Sequence, residues 1–126
     1  GANTDPMAER NPNPGYWMWD GGFSHHRLSW HVTADWPLGL AYHGLDPAAS
    51  YRVRLTGYGQ MRLRMNGKLG KPNVPRIEIG EVMEFPVPAN LIQDGELKLT
   101  FDKLPDEAHL NWRRQSRVSE VWLLKN

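Results

Sequence analysis

The run LNWRRQSRVSEVWLLK, residues 110–125, sets Trp112, Arg113, Arg114 and Gln115 side by side just ahead of a closing apolar strand. An indole offers a flat apolar face. The guanidinium and amide groups beside it offer hydrogen-bond donors in fixed geometry. None of the four is a nucleophile or a general base. Such a set suits holding a sugar, whose C–H face stacks on indole and whose hydroxyls meet the polar groups, better than cutting one. The run GYWMWDGGFSHHR, residues 15–27, has the same character and supplies Trp17, Trp19, His26 and Arg27. Trp36, just before Pro37, is a further exposed stacking candidate.

Each of these has an ordinary structural reading beside it. Trp17 and Trp19 lie two apart and share one face of a strand. That face is either a platform next to Gly21-Gly22 or part of the core, which large aromatics often fill. Trp112 sits among polar residues without apolar alternation, which predicts exposure. Trp122 falls inside the closing strand, which predicts a core position. Leu28, Trp30 and Val32 alternate and are expected on one inner face. Arg113 or Arg114 has Asp106, Glu107 and Glu120 as possible partners, and Asn111 and Gln115 are equally suited to capping the loop.

Other chemistries lack their residues. His25 and His26 are adjacent and point to opposite faces of a strand. His25 and His31 would be about 20 Å apart on an extended chain. No HExxH or comparable metal-ligand spacing occurs. Gly22-Phe23-Ser24-His25 lacks the second glycine of a nucleophile elbow. The sequence therefore assigns no catalytic residue, no transition metal and no cofactor. A structural calcium is compatible with Asp5, Glu9, Asp20, Asp35 or Glu120, whose spacing is not diagnostic.

The elements that must position these residues read as strands. Tyr51, Val53 and Leu55 alternate with Arg52, Arg54 and Thr56, the period of a half-buried strand. Met61 to Asn66 alternates likewise and ends on Asn66-Gly67, a turn signal. Ile77 to Ile79, Val82 to Val87, Leu97 to Phe101, Leu28 to Thr33 and Gly39 to Tyr42 are further strands. Pro88 to Asp94 offers one helical turn. The last strand, Arg117 to Leu124, breaks alternation, which predicts a bulge near Ser119-Glu120 or burial on both faces. Residues 1–14 are polar and proline-rich and read as a linker or arm. Residues 15–126 read as one all-β domain, an antiparallel β-sandwich of about eight strands.

If Tyr51–Thr56 and Met61–Asn66 form a hairpin through Gly57-Tyr58-Gly59-Gln60, then Arg52, Arg54, Arg62 and Arg64 share one face. Like charges directly opposite one another are unfavourable. Glu78, Glu84, Glu96 or Asp102 would neutralise them, or an anionic polysaccharide would. The first outcome is the ordinary one for a solvated face.

Composition bounds the partners. At 126 residues the chain can build a core without staples, and it contains no cysteine. With 15 Lys plus Arg against 14 Asp plus Glu it lacks the basic excess of a nucleic-acid binder. No apolar run approaches the roughly 18 residues of a membrane span. The balanced charge favours a neutral β-glucan or hemicellulose over an anionic glycan.

The segments YRVRL from Tyr51, MRLRMNG from Met61, EFPVPANLIQDGELKLTF from Glu84 and RVSEVWLLK from Arg117 resemble galactose-binding-like β-sandwich domains. Such domains are often appended to bacterial polysaccharide-degrading proteins. The resemblance covers about Asp46 to Lys125. It implies a jelly-roll fold, carbohydrate binding, an occasional structural calcium, and a place in a larger secreted or cell-surface protein. A docking or spacer domain and a small hydrolase or lyase are the competing readings.

Overall fold

A computed structural model describes residues 18–19, 23–33 and 39–126, and for 18–19 and 23–30 the strand pairing alone. Trp17, Trp36, the 1–14 arm and the calcium candidates Asp5, Glu9, Asp20 and Asp35 lie outside the described residues.

Nine strands are seen among the described residues: β1 (Met18–Trp19), β2 (Phe23–His31), β3 (Gly39–Tyr42), β4 (Tyr51–Tyr58), β5 (Leu63–Met65), β6 (Lys68–Leu69), β7 (Val82–Pro86), β8 (Leu97–Phe101) and β9 (Arg117–Lys125). They form two antiparallel sheets, ordered β1-β2-β9-β4-β7 and β3-β8-β5-β6. Pairing is nested: β2 with β9, β3 with β8, β4 with β7, β5 with β6. This is a long double hairpin rolled up on itself, the jelly roll, and the expected β-sandwich is what the chain adopts.

Alternation builds the core between the sheets. Tyr51, Val53 and Leu55 of β4 are buried, as are Met83 and Phe85 of β7, Leu97, Leu99 and Phe101 of β8, and Val118, Val121 and Leu123 of β9. Each such side chain contributes about 1.5–3 kcal/mol by leaving water. The helical turn expected after Pro88 is a 3₁₀ turn at Ala89–Leu91. Of the Ile77–Ile79 strand only a single bridge, Ile77 to Gly59, forms, and Ile79 is exposed.

The expected bulge is present. Thr56 faces Glu120 and Gly57 faces Val118, so Ser119 is the extra residue of β9. Beyond it β4 is one residue out of step, and Gly57 takes φ 154°. A Cβ at Gly57 would lie 2.0 Å from the Arg117 carbonyl oxygen, which only glycine avoids.

The hairpin between Tyr51–Thr56 and Met61–Asn66 that would put four arginines on one face does not form. β4 lies in one sheet and β5 in the other. Gly59 pairs with Ile77 instead, and the chain crosses between layers there. Arg52 and Arg54 therefore do not share a face with Arg62 and Arg64.

Gly57→Ala is expected to destabilise the fold by about 2–4 kcal/mol in urea denaturation. Gly67→Ala, also at positive φ but with nothing within 4 Å of the added carbon, is expected to cost about 1 kcal/mol. Equal effects would contradict the close approach at the bulge.

Candidate functional site

One side chain ties the Trp112 loop to the sandwich. The loop leaves β8, makes a 3₁₀ turn at Pro105–Glu107 and a second at Trp112–Arg114, and enters β9. Glu107 is buried. Its Oε1 accepts the Ser116 backbone N–H at 2.7 Å and its Oε2 accepts the Ser116 hydroxyl at 2.9 Å. Ser116 Oγ also accepts the Gln60 N–H at 3.0 Å, and the Ser116 carbonyl accepts the Val32 N–H at 3.0 Å. Charge-assisted bonds of this kind offset the cost of burying a carboxylate.

The loop is fixed from within as well. Asn111 Oδ1 accepts the Arg113 N–H at 3.0 Å and its carbonyl accepts the Arg114 N–H at 2.8 Å. Gln115 donates to the Leu110 carbonyl at 3.1 Å and accepts from the Thr33 hydroxyl at 2.9 Å. Both ends of the Gln115 amide are thus engaged, and it ties the loop to the end of β2.

This framework presents Trp112, which is 61% exposed. The His31 ring meets the indole edge-on, with centroids 6.4 Å apart, and His31 Nε2 lies 3.1 Å from the Trp112 carbonyl oxygen. The Arg113 guanidinium sits over the indole at 5.3 Å. His31 is in register with Arg117, and Arg117 with Tyr58, across β2, β9 and β4. Arg117 donates to the Arg113 carbonyl at 3.3 Å and lies 5.4 Å from the centre of the Tyr58 ring. Arg76, held beside it by the Ile77–Gly59 bridge, lies 5.2 Å from the same ring. Trp112, His31, Arg113, Arg117, Tyr58 and Arg76 thus form one continuous surface.

Of the sequence-derived candidates, Trp112, Arg113, Arg114 and Gln115 stand together at this surface. Glu107 binds Ser116 rather than either arginine, and Glu120 accepts from Thr56. In the N-terminal set, Trp19 pairs with Phe23 and Arg27 with Glu120. His26 pairs with Val121, and the row continues through Leu55 and Met83; Val121, Leu55 and Met83 are buried. It is His25, not His26, that shares a row with Trp122 and Arg54. Sequence reasoning missed His31, Tyr58, Arg76 and Arg117 as site residues. Their partners are remote in sequence, and the bulge that aligns two of them leaves only a break in alternation as its signal.

Trp122, expected in the core, is half-buried on the outer face of the five-stranded sheet. The bulge explains the difference: beyond Ser119 the inward positions are Val121 and Leu123. Nearby, Glu84 bonds Arg54 at 2.7 Å and Arg52 at 3.5 Å. The Arg54 bond holds the Glu84 carboxyl below its usual range, against a smaller opposing effect of burial. On the other sheet Arg64 pairs with Asp102 at 2.8 Å. These arginines are the solvated, neutralised surface anticipated from the acidic residues.

A separate groove of about 350 Å³ is lined by Tyr42, His43, Asn66, Asp94, Glu96 and Lys98, among others. Both of its carboxylates have local work. Asp94 accepts the Glu96 N–H at 3.1 Å, and Glu96 lies 3.1 Å from His43 Nδ1. Among the described residues no group of three or more His, Asp or Glu is arranged to hold a metal ion.

No protein-family model matches the sequence, and no curated protein matches it. Among solved structures, BuGH86 in complex with neoagarooctaose, both as wild type and as a point variant, is similar in fold. In each case the TM-score is 0.51 at 15% identity, over 80% of this chain and 18% of that chain. The chain thus spans less than a fifth of the length of those solved chains. The likeness extends to the β-sandwich and carries no site residue with it.

Glu107→Ala is expected to cost about 2–3 kcal/mol, because the Ser116 donors lose a buried charged acceptor. Amide hydrogen exchange over residues 110–116 is expected to rise more than the global loss explains. Unchanged exchange there would mean that the loop is held by other contacts.

Proposed function

We propose that this chain is a non-catalytic carbohydrate-binding domain, with its binding surface centred on Trp112. A sugar ring stacks on the free part of the indole. Arg113, Arg114 and His31 supply hydrogen bonds to hydroxyls, and Gln115 acts as the strut that holds the loop. Because the loop is anchored by Glu107, Asn111 and Gln115, binding needs little rearrangement, which limits its entropic cost. Trp17, Trp19, Trp36 and Arg27 remain proposed contacts of the N-terminal segment.

The observation that carries this reading is a mostly exposed indole ringed by polar side chains on a fixed frame. A protein-docking surface would mix the tryptophan with Leu, Val and Met in one apolar patch. Among the described residues the ring contacts of Trp112 are with His31 and Arg113, both polar. The similarity in fold to a protein crystallised with neoagarooctaose supports the same reading. The domain is proposed to serve beside a catalytic domain of a larger secreted glycan-degrading protein, at the cell surface or outside the cell.

Affinity electrophoresis of the purified chain against soluble glycans tests the proposal. Retardation by at least one glycan class is expected, with Trp112→Ala weakening it at least about tenfold, or about 1.4 kcal/mol. Trp122→Ala, on the sheet face, is expected to leave binding within about twofold on the same scale. No retardation by any glycan, or retardation unaffected by Trp112→Ala, would contradict it.

A further inference from the structure

Two ways of holding arginine divide the surface of this protein. On the sheet faces, Arg52, Arg54 and Arg64 are matched to the carboxylates of Glu84 and Asp102. Around the Trp112 loop, Arg113, Arg76 and Arg117 rest on aromatic rings instead. Among the described residues no carboxylate lies within 4.0 Å of these three or of Arg114. Two of the acidic residues near them in sequence are turned to other tasks: Glu107 is buried on Ser116, and Glu120 accepts from Thr56.

The difference has a chemical consequence. A carboxylate neutralises a guanidinium and occupies its fork. An aromatic ring holds the guanidinium in place through its quadrupole and leaves both the charge and the in-plane N–H donors available. Arg117 uses one Nη1 donor on the Arg113 carbonyl and keeps the rest. Tyr58 thereby preorganises two guanidiniums next to the stacking indole. From β4 to β2, the strands bearing Tyr58 and His31, the surface spans two inter-strand steps, about 10 Å. That is long enough for more than one sugar ring. Cations fixed in this way match acid groups on the glycan, because guanidinium and a sulfate or carboxylate group pair through two parallel hydrogen bonds.

We infer that the glycan bound at this surface is anionic, a polysaccharide carrying sulfate or carboxylate groups. Trp112 stacks on a sugar ring, and Arg76, Arg117 and Arg113 bond the acid groups. The inference rests on the carbohydrate-binding reading above and reverses the preference for a neutral glycan drawn from net charge. The chain's net charge of +1 is a total over the whole sequence and does not report how charge is held locally around these rings.

The test measures affinity of the intact chain for four probes: a sulfated galactan, polygalacturonate, a neutral β-glucan and a single-stranded oligonucleotide. Each is measured at about 50 mM and about 300 mM salt, conditions that change the screening length appreciably. At least one anionic glycan is expected to bind about tenfold or more tightly than the β-glucan, and to weaken as salt rises. Which of the two binds decides between sulfate and carboxylate. Arg76→Ala and Arg117→Ala are expected each to weaken that binding about five- to tenfold and to leave thermal stability near the parent value, with Arg76→Lys and Arg117→Lys restoring only part of it. Equal or tighter binding of the neutral β-glucan, insensitive to salt and to Arg76→Ala, would overturn the inference while leaving the carbohydrate-binding reading intact. An oligonucleotide bound as tightly as the glycans would overturn the assignment of ligand class. Binding of no glycan at all would overturn both readings.

Discussion

The buried Glu107 carboxylate and its two bonds to Ser116 fix the end of the sandwich on which the candidate site is built. Ser116 is where four segments meet: the end of β2 through Val32, the segment after β4 through Gln60, the start of β9, and the turn that carries Glu107. The crossing is crowded. A side-chain carbon on Gly59 would come within 2.2 Å of the Ser116 hydroxyl oxygen. A glycine on one strand and a small hydroxyl on the other let the backbones approach, and the carboxylate satisfies the polar groups trapped between them. From this point outward the chain has few alternatives. The loop from Ala108 to Gln115 meets the end of β2, where Thr33 bonds Gln115 and His31 meets the Trp112 carbonyl.

A second constraint aligns the cationic groups. The extra residue Ser119 in β9, with Gly57 opposite, re-phases the strand pair. Downstream of the bulge the pair supplies a normal sandwich core. On the other side of it, Arg117 meets Tyr58 and reaches the Trp112 loop. The bulge thus separates two electrostatic regimes on one sheet. Arg52 and Arg54 face Glu84 across strands, an arrangement worth little individually to stability but enough to cancel charge. Arg76 and Arg117 are paired with a ring, so their charge remains at the surface.

The sandwich was legible from local pattern. The alternation in Tyr51–Thr56 and Leu97–Phe101 specifies strands with one wet face, and the turn signals at Asn66-Gly67 and Asp94-Gly95 both fall at real turns. The break in alternation at Ser119-Glu120 foretold the bulge. Trp112 and its polar neighbours were legible for the same reason, because no apolar period accounts for an indole there. What local pattern could not supply was the sheet to which a strand belongs. The two arginine-bearing strands look alike in sequence and lie in opposite layers, so the four-arginine face did not form. Trp122 was misplaced because the bulge inverts the phase of the strand that carries it. Tyr58, Arg76 and Arg117 became neighbours through pairings across tens of residues, which no local signal reveals.

The central claim is that the ligand surface lies at the Trp112 end of the sandwich, not on a sheet face or in the groove beside His43. Nuclear magnetic resonance of the labelled chain, titrated with a short oligosaccharide of a glycan it retains, tests this most directly. The account predicts shifts at the Trp112 indole N–H and at the amides of His31, Tyr58, Arg76 and residues 112–117. Shifts confined to Trp122, Arg54 and Glu84, or to His43 and Glu96, with the Trp112 indole unmoved, would contradict it.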